Sequence, residues 1–176
     1  MRSWGSKGKA QGEFNEPTSV AIHNQNVFVV DNGNNRIQVF TLDGKFVRSW
    51  GSKGDADGEF RFSEGGLAVS ADGNVFVCDG DNYLIQVFDL DGKFITKFGG
   101  RYEFESHPQY VTISSTGKVL VSTETGVVVF NTDGTYDRNM SMGNDVAGAM
   151  AVTPNDNLIV CDDESDIIYV LPAGTW

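Results

Sequence analysis

Residues 2–8 and 48–54 both read Arg-Ser-Trp-Gly-Ser-Lys-Gly, forty-six positions apart. A verbatim heptad at that distance marks an internal repeat, and periods of about 20 to 50 residues belong to solenoids, propellers and other arrays. Four imperfect repeats follow when the chain is aligned on its strongest residues: 2–47, 48–95, 96–137 and 138–176. The first two are near copies and the last two have drifted. At 176 residues with 40% apolar side chains, the repeats fit one domain, 1–176, with a common core.

Each repeat has the same internal order. A glycine-rich connection leads to a first apolar run at 17–22, 65–69, 108–113 and 149–152. The second run, at 27–30, 75–78, 119–122 and 158–161, is continuously apolar, which predicts a strand buried on both sides. The third, at 36–40, 84–88, 126–130 and 166–170, alternates with a period of two and is β rather than helical. Asp43-Gly44, Asp91-Gly92 and Asp133-Gly134 then mark hairpins, and Ala173-Gly174 keeps the glycine in the fourth copy. Fourth strands are expected at 45–50, 93–98 and 135–140. Twenty-one regularly spaced glycines agree with many short strands joined by turns. The class is all-β, and four antiparallel strands per repeat make one propeller blade.

These residues resemble the NHL repeats, a β-propeller family. The likeness rests on Pro17-x-x-Val20-Ala21, on Val29-Val30-Asp31-x-x-Asn34-Asn35-Arg36-Ile37-Gln38-Val39-Phe40, on Asp43-Gly44-Lys45-Phe46, and on Trp50-Gly51 with Gly58-Glu59-Phe60. Repeat two keeps Asp79, Asn82, Ile85, Gln86, Val87 and Phe88 but has Leu84 in the place of the arginine. Repeats three and four put Thr123-Glu124-Thr125 and Asp162-Asp163-Glu164-Ser165-Asp166 where the signature would stand. The resemblance implies a propeller that commonly has six blades, against four repeats in this chain. The ends complement each other: Gly174-Thr175-Trp176 followed by Met1-Arg2-Ser3-Trp4 reads in register with Gly44-Lys45-Phe46-Val47-Arg48-Ser49-Trp50. They share one blade in a four-bladed ring, or meet across chains in a dimer or larger ring. An open fan would expose apolar sheet faces.

Catalytic chemistry finds little support. His23 and His107 fall at opposite ends of first strands, hence on opposite faces, and cannot share a metal. There is no Gly-x-Ser-x-Gly elbow, and none of the Gly-Lys pairs continues into a phosphate loop. Asp79-Gly80-Asp81-Asn82 and Asp89-Leu90-Asp91-Gly92 lack the full alternating ligands and the closing glutamate of a calcium loop, and read as turns. The expectation is a protein that is not an enzyme and has no cofactor. Trp4, Trp50, Phe98 and Arg36 fall where blades pack, and Phe14, Phe60 and Phe104 read as plugs under the connections. Cys78 and Cys161 fall at one repeat position, too far apart for a disulfide, and are expected to be buried free thiols in a reducing compartment. No run is long enough to span a membrane and no signal-peptide layout opens the chain, which predicts a soluble cytoplasmic protein.

Charge patterning gives the functional expectation. The connections between blades and the loops between second and third strands share one face, which carries six Lys and Arg against seventeen Asp and Glu. Resemblance to NHL domains implies that this face binds ligands. Asp31, Asp79, Asp81, Glu124, Asp162, Asp163, Glu164 and Asp166 are expected to line it and to bind a protein or basic peptide, since an acidic face repels a phosphate backbone. RNA binding, known for some NHL domains with a basic face, is the alternative, and a truncated or engineered propeller without a ligand is the second. Self-association through the complementary termini is also open.

Overall fold

The computed structural model describes residues 3–142, 148–162 and 165–176. Four antiparallel sheets follow one another along the chain, each with its strands in sequence order. Blade 1 consists of Pro17–His23, Asn26–Asp31, Arg36–Thr41 and Phe46–Trp50. Blade 2 consists of Leu67–Val69, Val75–Asp79, Leu84–Phe88 and Phe94–Phe98. Blade 3 has Tyr110–Ile113, Lys118–Thr123, Gly126–Asn131 and Tyr136–Ser141, and blade 4 has Met150–Val152, Leu158–Asp162 and Ile167–Leu171. The repeat boundary at 47/48 therefore cuts a strand, which the sheet keeps whole in blade 1.

Side chains alternate across each sheet, so every blade has two apolar faces, and each face that meets a neighbouring blade is covered by it. Phe28, Val30, Ile37 and Val39 of blade 1 pack on Phe60, Leu67, Val75, Val77 and Phe88. The opposite face of blade 2, with Phe76, Cys78, Ile85 and Val87, packs on Phe104, Val111, Val119, Val121, Val128 and Phe130. Leu120, Val127 and Val129 of blade 3 then meet Leu158, Val160 and Trp176. Burying each large side chain stabilises by about 1.5–3 kcal/mol, so these three seams dominate the fold.

An aromatic at the end of the fourth strand of blades 1 and 2 locks the seam with the next blade. The Trp50 ring lies so close over Gly92 that a Cβ there would meet it at 2.5 Å, and φ at Gly92 is +83°, which glycine adopts without strain. Phe98 covers Gly134 and Trp4 covers Gly44 in the same way. Phe60 and Phe104 are fully buried plugs beneath their connections.

The expectation of four strands in every blade is met in the first three. In blade 4 three strands are found among the described residues. The two ends do not share a sheet: Ser3 and Trp4 lie at the outer face of blade 1, whereas Trp176 turns into the seam between blades 3 and 4. Met1 and Arg2 lie outside the described residues. The blades form an open arc with the outer faces of blades 1 and 4 uncovered, as the exposure of Val20, Ile22, Ile168 and Val170 shows.

That arc corrects the reading of Cys161. Cys78 is fully buried, and desolvation pushes its thiol far above the ordinary range. Cys161 shares the repeat position but is half-buried, because its side of blade 4 meets no further blade. Both are free thiols. In dilute protein a thiol reagent is expected to label Cys161 at least about tenfold faster than Cys78, read by mass spectrometry of the peptides. Equal rates would contradict the open outer face of blade 4.

Candidate functional site

The signature residues of the first two repeats turn inward and bolt the connections to the blades. The Asp31 carboxylate, fully buried, accepts from the Asn15 amide at 2.7 Å, Asn34 Nδ2 at 2.9 Å, Arg36 Nε at 2.7 Å and Gln38 Nε2 at 3.0 Å. Those partners reach on to the backbone of the connection: Asn34 donates to Gly8 O, Arg36 to Ala10 O and Glu13 O, and Gln38 to Glu13 O. Gln38 Oε1 takes the Gly12 amide. Blade 2 repeats the device with Asp79, which accepts from the Arg61 amide, Asn82 and Gln86. A buried carboxylate is tolerated only with such partners, and the partners in turn satisfy connection backbone that would otherwise need water.

This geometry corrects the site expected from sequence. Asp31, Asp79 and Asp162 are buried and cannot line a surface. Asp163 and Glu164 lie outside the described residues. Asp81, Glu124 and Asp166 are exposed on the loop face. Among the rest, Asp55 pairs with Arg61 at 3.8 Å and Asp57 with Lys97 at 2.8 Å. Five of the seventeen acids counted on that face are thus internal or paired. The two histidines do lie apart, His23 at the far end of the first strand of blade 1 and His107 on the loop face.

Where the bolt is missing, the loop face changes character. Blade 3 has Thr123 at the hub position, and its hydroxyl bonds only within its own turn, to Gly126 O, the Thr125 amide and the Thr125 hydroxyl. The connection ahead of it forms a one-turn helix, Arg101–Phe104, held by the fully buried Phe104 and by Ser106 Oγ, which accepts the Glu124 amide at 3.1 Å. Tyr83 caps the short turn Gly80–Asn82 with φ +58°, a left-handed conformation uncommon for a bulky residue. The Arg101 guanidinium lies 3.9 Å from the centre of the Tyr83 ring, and the His107 ring centre lies 4.8 Å from it. Asp81 Oδ1 is 3.6 Å from His107 Nε2. Beside this stack Tyr102 projects into solvent, 97% exposed. The patch brings together Asp81 and Glu124 of the expected residues with Tyr83, Arg101, Tyr102 and His107, which the sequence reading did not single out as binding residues. The one signal for them was the replacement of Asn35 and Arg36 by Tyr83 and Leu84 in the second repeat.

The NHL repeat family matches residues 14–40 and 65–88, the two stretches that contain these hubs. The chain carries two NHL repeats within a four-bladed β-propeller fold. No curated protein matches it in sequence. Among solved structures, virginiamycin B lyase from Staphylococcus aureus is 16% identical, with a TM-score of 0.65 over 90% of this chain and 56% of its own. A chain of the nidogen/laminin complex is 16% identical, with a TM-score of 0.71 over 93% of this chain and 62% of its own. A protein of unknown function from Bacteroides caccae is 15% identical, with a TM-score of 0.61 over 91% of this chain and 58% of its own. At such identities the likeness is one of fold. This chain spans less than two thirds of the length of each of those three. Among the described residues no helix is long and apolar enough to cross a membrane.

The two hubs of the NHL repeats differ in one partner, which makes their energetics testable. Leu84 stands opposite Asp79 in the register that sets Arg36 opposite Asp31. Burial raises the Asp79 carboxyl above its ordinary 3.8, against the opposing hydrogen bonds of Arg61, Asn82 and Gln86. The folded chain therefore holds this proton more tightly than the unfolded chain. Ionised Asp79 weakens the fold at neutral pH, and the penalty is relieved as pH falls through the raised pKa. Leu84→Arg supplies the missing cation and is expected to add about 1–3 kcal/mol at neutral pH. The gain should shrink below about pH 4, where the carboxyl is protonated. Urea unfolding at both pH values checks this, and a pH-independent gain or a loss at neutral pH would refute it.

Proposed function

We propose that the chain is a non-enzymatic interaction module that takes a protein or basic peptide segment on the loop face at the junction of blades 2 and 3. The observation that carries this reading is Tyr102, an almost wholly exposed aromatic on a helix pinned by the buried Phe104. An exposed tyrosine on an anchored backbone, beside a stacked Arg101 and Tyr83, has the composition of a binding hot spot, because a tyrosine offers a large contact area with only two rotatable side-chain bonds to order. Asp81, Glu105 and Glu124 are exposed around it and favour a basic partner. Membership of a chain of similar fold in the nidogen/laminin complex supports a protein partner, while the likeness to virginiamycin B lyase keeps the same fold open to chemistry.

A second reading has its own observation. An arginine stacked on a tyrosine also offers a platform for nucleic-acid bases. Phosphate neutralisation requires a basic surface, however, and around this stack the exposed acids outnumber the exposed cations. A panel of basic peptides and one of single-stranded RNAs, each at two salt concentrations, separates the readings. Basic peptides are expected to bind in a salt-sensitive manner, and Tyr102→Ala should weaken that binding about tenfold or more. RNA binding in the sub-micromolar range that survives about 150 mM salt would overturn the proposal, as would peptide binding indifferent to Tyr102→Ala.

A further inference from the structure

The Tyr102 patch has a counterpart one repeat earlier, with the opposite charge. Between the connection above blade 1 and the start of the connection to blade 2 lies a groove of about 460 Å3, bordered by the short turn Asn32–Asn34 and lined by Lys9, Asn35, Arg36 and Lys53. Half of the six Lys and Arg on the loop face meet in this groove, and no Asp or Glu lines it. Repeat equivalence puts Asp55, Asp81, Leu84 and Arg101 in the places of Lys9, Gly33, Arg36 and Lys53 at the junction of blades 2 and 3. One groove is thus basic and the next is mixed and acidic.

The cations of the basic groove are free to act. Lys9 and Lys53 are exposed, and neither has an ion-pair partner among the described residues. Arg36 spends Nε on Asp31 Oδ2 and Nη2 on Ala10 O and Glu13 O, which leaves Nη1 without a partner there. The carboxylates close by in sequence are engaged elsewhere: Glu13 accepts the Ala10 amide at 3.0 Å, Asp55 pairs with Arg61 and Asp57 with Lys97. The donors also decide which anion fits. A phosphate cradle needs converging backbone amides or an open guanidinium fork. Here Gly33 N is given to Asn15 O at 2.9 Å and Asn35 N to Asn32 O at 3.0 Å, Gly8 and Gly54 donate to Phe14 O and Phe60 O, and the Arg36 fork is taken by Asp31 and the backbone. Two ammonium groups on flexible stems remain, a set that suits separate carboxylates along a chain.

We propose that the groove between the first two connections binds an acidic peptide segment of a protein partner, whose Asp or Glu side chains meet Lys9 and Lys53. The groove shares no residue with the Tyr102 patch, and this site does not rest on that reading, so either can fail alone. The loop face then carries two neighbouring sites of opposite preference, one for carboxylates and one for cations.

Fluorescence anisotropy of a dye-labelled hexaglutamate peptide with the full chain, at about 50 mM and about 300 mM salt, tests the site. Binding is expected at the lower salt and should weaken at the higher; no binding at the lower salt would overturn the proposal. The double variant Lys9→Glu with Lys53→Glu should weaken binding at least about tenfold. Both side chains are exposed and unpaired, so its circular dichroism should be unchanged. Lys45→Glu with Lys93→Glu makes the same change of net charge beside the Asp-Gly turns, at the other ends of the strands, and should leave binding as it is. An equal loss in both double variants would mean attraction to net charge alone and refute the groove. Tyr102→Ala should have no effect on this peptide, and a loss there would place it on the other patch and refute the assignment. Inorganic phosphate or single-stranded RNA that displaces the probe at lower concentration than unlabelled hexaglutamate would make this a phosphate site and equally overturn the proposal.

Discussion

A blade of this protein is apolar on both faces, and only another blade can cover a face. Phe28 and Val30 point one way from a strand, Val27 and Val29 the other, so the second strand cannot lie on a polar surface with either side. Each added blade buries one face and presents a new one. The architecture is therefore stable in its middle and unsatisfied at its ends, and the difference shows residue by residue: Val75 to Cys78 are fully buried, whereas Ile159 and Cys161 in the same strand of blade 4 are not. A penalty of about 25 cal/mol for each Å2 of apolar surface left in water acts at both ends of the arc.

Polar residues solve a different problem, that of holding the connections. A segment such as 5–16 runs across the ends of the strands with only a short parallel pairing of its own, Ser6–Lys7 on Glu13–Phe14, and joins no blade ladder. Asp31 collects four donors at once, and the side chains that supply three of them also bond the connection at Gly8, Ala10 and Glu13. One buried charge thereby fixes a dozen residues of loop. Rigidity of this kind suits a face that binds partners, since little order remains to be imposed on binding.

How much of this was legible in the sequence depends on which property is asked about. Periodicity set the blade order, and the strands differ from the expected runs by a residue or two, because the Asp-Gly turns and the alternation of Ile37, Gln38, Val39 and Phe40 are local signals. Side-chain direction at the loop face was not local. An aspartate after Val30 reads as a surface residue by type, and only the meeting of Asn15, Asn34, Arg36 and Gln38 around it shows that it points inward. The count of seventeen acids on one face therefore overstated its field, since charges such as Asp31 and Asp79 lie in the interior. Cys161 was misjudged for the opposite reason: repeat equivalence assumes a neighbour on both sides, and the last blade has one. The stack of Arg101 on Tyr83 joins two blades, and no spacing within either repeat encodes it.

The third repeat shows why the binding patch stands where it does. In the first two repeats Asp31 and Asp79 dictate the path of the connection above them, because Gly12, Glu13, Gly58 and Glu59 must present their backbone to Gln38 and Gln86. With Thr123 in the hub position that demand disappears. The connection before blade 3 then keeps the aromatic plug, Phe104, but is free to turn as a helix and to hold Tyr102 outward. Loss of the signature costs that blade a network of charged hydrogen bonds, and the seam of Phe76, Cys78, Phe104, Val119 and Phe130 beneath it offsets the loss with apolar contact. A relaxed polar constraint over a well-packed seam is the arrangement in which a loop gains a new surface without loosening the blade that carries it.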